Sequence, residues 1–475
     1  MKPRPEADTR VTQPTAPAGA TYARRLGLFS ATMVVVGGII GSGIFLNPAI
    51  VAQRTGSAAL TLVTWVLGGA IAVLGAFCFA ELGARRPRVG GGYAYLREAF
   101  GALPAFLYGW ALLLVIATGA TAAVAVTFAR YAAALLALPE RATVPLAVAA
   151  IAVLSAINYV GVKPGAVTQN VFTVLKLAAL GLLILAGLLW VRGPDVGPLL
   201  ASATGAAGVA AGPTWSLSAP SGVFEVLRVT GVALVPILFA YGGWQQSNFI
   251  AEEIVDAERT LPRAILIGVA VVVAVYVLAN AAYLRVLGVV WLAASGAPAA
   301  DLLERTLGPA GRVVISAGIA CSTFGFLNLV ILVSPRVYQA MAADGVFLPQ
   351  LAALHPRYRT PTLAIVLQGA WAIALTLSGT YGQLLDYVVF GDWIFFGAAA
   401  ATLFVFRRRE RAHAGFRTPG FPLTPALFVL AAVYVVVSSV GSNPKNAAIG
   451  AGLLLLGVPV FLFWRRRGGA RVTRG

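Results

Sequence analysis

Charge is what this sequence has least of. Asp, Glu, Lys and Arg fill 11% of the 475 positions against 59% for hydrophobic residues, and the mean hydropathy is +0.85. Soluble globular chains carry roughly a quarter of their residues as charge, so a soluble fold is excluded. Histidine occurs only as His355 and His413, both in polar stretches. The apolar stretches hold no His/Cys/carboxylate group at metal-ligand spacing and no haem-ligand pair, so neither a membrane metalloenzyme nor a cofactor is expected. The two cysteines, Cys78 and Cys321, fall inside apolar stretches and give no disulfide framework. Residues 1–22 are polar and rich in Pro, Ala and Thr. They lack the apolar core of a signal peptide and read as a disordered cytoplasmic tail.

What the sequence has is apolar runs long enough to cross a bilayer, repeated along its whole length. Twelve spans are expected, at 26–51, 58–80, 103–135, 143–161, 167–191, 230–255, 262–289, 311–341, 361–379, 383–406, 422–440 and 446–464. The fold class is thus an all-α integral membrane protein of about twelve transmembrane helices filling 23–465, with a basic tail at 466–475. The net charge of +18 would suggest nucleic acid in a soluble chain, but here its placement matters more. Sorted by alternate loops, 25 of the 35 Lys and Arg fall on one side of the membrane and nine on the other, with Lys176 inside a span. The positive-inside rule accounts for that asymmetry, puts both termini in the cytoplasm and leaves no role for nucleic acid.

Two spans differ from the rest. The first contains Gly37-Gly38-Ile39-Ile40-Gly41-Ser42-Gly43-Ile44-Phe45, and the sixth contains Tyr241-Gly242-Gly243-Trp244. Glycine at bilayer depth permits unwound backbone, which is tolerated only where the freed groups line a cavity or meet a ligand. Close helix packing is the plainer use of glycine. Two clusters in spans one and six, which run in opposite directions, instead fit the paired broken helices of an inverted-repeat transporter, with repeats at 26–191 and 230–406 and extra helices at 422–464. A broken helix offers N–H groups to an anion and carbonyls to a cation. A zwitterionic amino acid has both. Gly41, Ser42 and Gly43 are expected to take its carboxylate, and the carbonyls near Ile39 and of Phe239 and Ala240 its ammonium. Tyr241, Gly242 and Gly243 form the second break and are candidate substrate-binding residues, and Phe239 is a candidate lid.

The segments Gly38–Phe45 and Phe239–Trp244, the latter followed by Asn248-Phe249-Ile250-Ala251-Glu252-Glu253, resemble those of the amino acid–polyamine–organocation superfamily. Within it they are most similar to the L-type amino acid transporters and their bacterial relatives. His355-Pro356 and Thr360-Pro361 ahead of the ninth span fit the same family. The resemblance implies a LeuT-type five-plus-five inverted repeat with broken helices one and six, two added C-terminal helices, and sodium-independent transport of amino acids in the cell membrane, commonly by exchange. Animal L-type carriers link to a glycoprotein through a cysteine between spans three and four. This sequence has none there, so no obligatory heavy-chain partner is expected.

Ionisable residues inside the spans are functional candidates. The resemblance implies that the Lys176 ammonium replaces the sodium ion that bridges helices one, five and eight in coupled relatives; otherwise it snorkels to the surface. Asp392 lies in mid-span where L-type relatives tend to carry a neutral residue. That departure points to a cationic side chain or a proton as its partner, or to a purely structural pairing. Glu252, Glu253 and Arg336 end spans six and eight on the cytoplasmic side, as a latch for the inner mouth or as ordinary interfacial caps. Amino acid transport is the reading these residues support, with cationic amino acids or polyamines as the alternative substrates. A sensor that kept the fold without transport would carry the same motifs.

Overall fold

The structure, a computed structural model, describes residues 21–190, 222–378, 381–410, 413–442 and 444–472, and leaves out the side chains of 381–390, 442, 446 and 466–472. Most of the expected tail at 1–22 lies outside the described residues. Its last residue, Tyr22, is buried and donates from its hydroxyl to Gln339 Oε1 at 3.3 Å.

The apolar runs form helices throughout. They are α1 (Leu28–Ile39), α2 (Gly43–Thr55), α3 (Ala58–Arg85), α4 (Gly92–Phe100), α5 (Ala102–Ala111), α6 (Ala117–Leu135), α7 (Thr143–Val160), α8 (Val162–Leu189) and α9 (Val223–Ala240). Then come α10 (Ala257–Ala294), α11 (Pro298–Leu307), α12 (Pro309–Val333), α13 (Pro335–Ala343), α14 (Thr362–Ser378), α15 (Tyr381–Arg409), α16 (Leu423–Ser442), α17 (Pro444–Leu455) and α18 (Gly457–Val472). No strand occurs among the described residues beyond one bridge, between Leu26 and Ile254. Ten helical segments are long and apolar enough to cross a membrane, and α14 and α15 lie where two further spans are expected. α18 continues through Val472, into the expected basic tail at 466–475.

Interruptions fall where side-chain and backbone chemistry dictate. The first span splits into α1 and α2 at Ile40, whose backbone is extended. The sixth ends as an α-helix at Ala240 and resumes after Gly242-Gly243 as a 3₁₀ turn series, Trp244–Glu253. The third span is long because α5 and α6 are joined by a π-helical segment, Leu112–Ile116. Such segments are rare and gather at functional sites. The eighth divides at Ser334, where Pro335 opens α13 without an N–H to offer the preceding turn.

The two breaks are packed against each other and held from both sides. The Asn47 side chain of α2 donates to Pro236 O of α9 at 2.7 Å, and α1 packs along α8 and α10. At the end of α3, the fully buried Glu81 accepts from Arg85 Nε at 2.7 Å, from Arg407 of α15, and from the Thr418 N–H at 2.7 Å. Three donors compensate the cost of burying that carboxylate, and they pin α3 to α15 and to the connection before α16. Beside this cluster Arg86 binds Glu98 and Glu410, and its hydrogen bond to Glu410 holds that carboxyl below its ordinary range.

Candidate functional site

The first break is set by Ile40. Its extended backbone ends α1, and the Gly41 N–H turns back to Ile39 O at 3.0 Å. Gly41 is therefore corrected as a carboxylate donor: its N–H is already used inside the turn, although the residue lines the cavity. Ser42 opens α2, and its carbonyl takes the Phe45 N–H at 3.1 Å. The Ser42 and Gly43 N–H groups stand at the positive end of α2 with no acceptor among the described residues, the arrangement that favours an anion.

The second break presses against the first. Gly243 has φ +110°, and a Cβ built on it would overlap Gly38 O. A Cβ at Gly43 would lie 3.0 Å from the Ala240 Cβ. Glycine at these two positions is what lets the broken backbones cross. The Phe239 carbonyl accepts the Gly242 N–H at 3.2 Å. One side chain joins the two breaks: Tyr276 of α10, fully buried, reaches Ile39 O at 3.1 Å and Ala240 O at 3.3 Å with its hydroxyl. These are two of the three carbonyls expected to meet an ammonium, so Tyr276 fixes their direction. Nothing in the sequence marks Tyr276, an aromatic inside an apolar run. Tyr241 is corrected as a binding side chain. It is 1% exposed and packs against Trp65 and Tyr276, away from the cavity.

Between the breaks lies a cavity of about 130 Å³. Ile39, Gly41, Ser42, Gly43, Phe239, Ala240, Gly242 and Gly243 border it, as the glycine pattern leads one to expect. Asp392 and Trp393 of α15 border it as well, with Leu112 and Ile116 from the π segment, Tyr108, Gln246 and Ser334. The wall is chiefly apolar, with polar side chains from Ser42, Tyr108, Thr127, Gln246, Ser334 and Asp392. Phe239 remains 37% exposed, unlike its neighbours Leu238 and Ala240 in the core.

Lys176 stands behind the break, outside the cavity. It is fully buried, with Nζ 2.6 Å from Ile40 O and 3.2 Å from Gly37 O. A snorkelling lysine would reach the surface. This one points into α1. It continues a polar stripe on α8, at helical spacing, that addresses the carbonyls of α1. Gln169 Nε2 donates to Thr173 Oγ1 at 3.1 Å, and Thr173 donates to Met33 O at 3.2 Å. Gly37 makes the approach possible, because a Cβ there would overlap the side chains of Gln169 and Thr173. The third wall is α12. Gly325 faces the lysine, and the Ser322 hydroxyl reaches Gly41 O at 3.3 Å. One buried amine thus lies where α1, α8 and α12 meet.

Of the three residues expected at the inner mouth, Arg336 and Glu253 are both fully buried and pair at 2.8 Å. The Glu253 carbonyl accepts the Arg25 and Leu26 N–H groups at 2.9 and 3.0 Å, so the segment ahead of α1 lies across the pair. Glu252 does not join it; its carboxylate takes the Val89 N–H at 3.0 Å and anchors the turn before α4.

The family model described as amino acid permease matches residues 26–464. The chain is 32% identical over 468 residues to the large neutral amino acids transporter small subunit 2 of Homo sapiens, covering 94% of this chain and 82% of that one. It is 32% identical over 461 residues to the b(0,+)-type amino acid transporter 1 of Homo sapiens, with 96% and 91% covered. It is 33% identical over 467 residues to the Asc-type amino acid transporter 1 of Mus musculus, with 94% and 82% covered.

Proposed function

The chain belongs to the amino acid permease family, and within it we propose a sodium-independent secondary transporter that moves amino acids, chiefly neutral ones, across the plasma membrane by alternating access. It is a multi-span membrane protein and not an enzyme. In the proposed cycle the substrate carboxylate meets the Ser42 and Gly43 N–H groups. Its ammonium turns to the remaining lone pair of Ala240 O, which Tyr276 orients, and its side chain extends toward Phe239, Trp393 and Asp392. One observation carries this reading: two helices broken at mid-length border a single cavity and offer it opposite partial charges.

Sodium independence rests on Lys176. The Lys176 amine on Gly37 O and Ile40 O takes the place that a cation would occupy, and leaves those carbonyls satisfied without one. The broken helices belong to inverted repeats at 26–191 and 230–406, with both termini cytoplasmic, so the Glu253–Arg336 seal closes the inner mouth. The connection between α6 and α7 carries no cysteine for a covalent partner, and we propose that the chain works alone. Asp392 on the cavity wall favours a second substrate class, cationic amino acids, or a proton carried with the substrate.

The test is uptake and counterflow in proteoliposomes against a panel of neutral, cationic and acidic amino acids, with and without sodium and a pH gradient. Saturable exchange of neutral amino acids without sodium is the expected result. A carrier that moves none of the panel would return the chain to the sensor reading.

A further inference from the structure

At the sealed end a second cleft, of about 520 Å³, opens between Ala23–Arg25, the turn joining α7 to α8, and the loop before α14. Its volume is within the range of about 300–1,000 Å³ typical of ligand pockets. Arg25, Lys163, Arg357 and Arg359 line it, together with Tyr358. They come from three segments far apart in sequence, and no acidic residue lines the cleft. Some other basic residues at helix ends are paired. Arg85, Arg86, Arg97, Arg336 and Arg407 each sit on a carboxylate. Among the described residues, none of the four cleft cations has one within ion-pair distance. Topology alone asks for positive charge on this side, but not for four unpaired cations around one hollow.

The surroundings decide what the hollow fits. It lies where α1, α7, α8 and α14 begin or end, at the boundary of the apolar spans. Directly beyond that boundary, Phe29, Val160, Val167, Val171 and Leu363 are exposed large apolar side chains. The Asn170 side chain donates to Ser30 Oγ at 3.0 Å, which ties α8, the helix of Val167 and Val171, to α1, the helix of Phe29. A soluble anion would use the cations and leave this lane unused. A phospholipid uses both: its phosphate among the cations, its acyl chains along the lane. We infer that this cleft is a binding site for the headgroup of an anionic phospholipid.

Occupancy has a consequence for the proposed cycle. The Arg25 N–H is bonded to Glu253 O within the seal. A phosphate that holds the Arg25 side chain against Lys163, Arg357 and Arg359 therefore favours the sealed state. The binding claim itself does not depend on what is transported.

Native mass spectrometry of the full chain in detergent, titrated with phosphatidylglycerol or phosphatidylcholine, tests it. The wild type is expected to prefer phosphatidylglycerol. Each cation near an anionic headgroup is worth about a factor of five, so Lys163→Gln/Arg357→Gln/Arg359→Gln should bind phosphatidylglycerol roughly 100-fold more weakly. Arg408→Gln, which removes an exposed charge outside the cleft, should leave it unchanged. Arg357→Lys/Arg359→Lys should retain binding, and keeps the test decisive if the triple variant fails to fold. Equal binding of the two lipids by the wild type, or loss of phosphatidylglycerol in the charge-conserving variant, would overturn the proposal. Full displacement of phosphatidylglycerol by inorganic phosphate would assign the cleft to a soluble anion instead.

Discussion

Tyr276 and Lys176 divide the work of holding an unwound backbone in an apolar environment. Breaking helix one frees carbonyls at Gly37, Ile39 and Ile40, and an unpaired buried carbonyl costs about 1–3 kcal/mol. Lys176 takes two of these, and the Gly41 N–H and the Tyr276 hydroxyl share the third, Tyr276 also reaching Ala240 O in the other break. Tyr276→Phe removes the hydroxyl and little volume. It is expected to weaken amino acid binding about tenfold, through misdirected carbonyls rather than lost packing. A binding isotherm on purified protein checks this, and an unchanged affinity would mean that Ala240 O plays no part in recognition. Asp392 is a different kind of residue, because it borders the cavity itself. Asp392→Asn should lower uptake of cationic amino acids, or flatten the pH dependence of transport, with neutral substrates little affected. Uptake rates that stay the same across substrates and pH would make it a structural side chain.

At the scale of elements, the seal is the part that must open. Glu253→Gln leaves the Arg336 guanidinium buried without its carboxylate, a change that costs about 3–5 kcal/mol when one partner of a buried pair is removed. If the pair exists only in the sealed state, that cost shifts the balance toward the inward-open state by about 100-fold or more. Ser334→Cys, on the cavity wall beside Arg336, should then react with a thiol reagent applied from the cytoplasmic side much faster in the Glu253→Gln background. Equal labelling rates in both backgrounds would show that the pair is not a gate. The breaks themselves were legible in the sequence because two glycine groups fall at matching positions in spans one and six; one pair alone says less, since Gly68-Gly69 sits inside the unbroken α3. Lys176 was legible because a charge inside a span must find a partner. The π segment at Leu112–Ile116 was not, since nothing in Leu-Leu-Leu-Val-Ile departs from an ordinary helix. Nor could two adjacent glutamates be told apart when their roles depend on which faces Arg336 and which faces Val89.

Over the whole molecule, the pattern of apolar runs was enough to place the helices, since backbone in lipid has no other way to satisfy its hydrogen bonds. Tertiary partners were not readable in this way. Tyr276 looks like any aromatic in an apolar run, and Tyr241, beside two glycines, looked like a binding residue yet packs into the core. Both outcomes depend on how α10 lies against the breaks, which no local pattern encodes. The central claim is that the ammonium of Lys176, fixed between α1, α8 and α12, stands in for a coupling cation beside an amino acid site. Sodium-free counterflow of a neutral amino acid in proteoliposomes tests it most directly, with wild type, Lys176→Ala and Lys176→Arg measured side by side. Wild-type exchange is expected at the same rate with sodium or choline outside. Both variants should be slow, since alanine leaves the carbonyls bare and a bulkier forked guanidinium cannot occupy the site of a compact ion. Exchange that requires sodium in the wild type, or a fully active Lys176→Arg carrier, would contradict it.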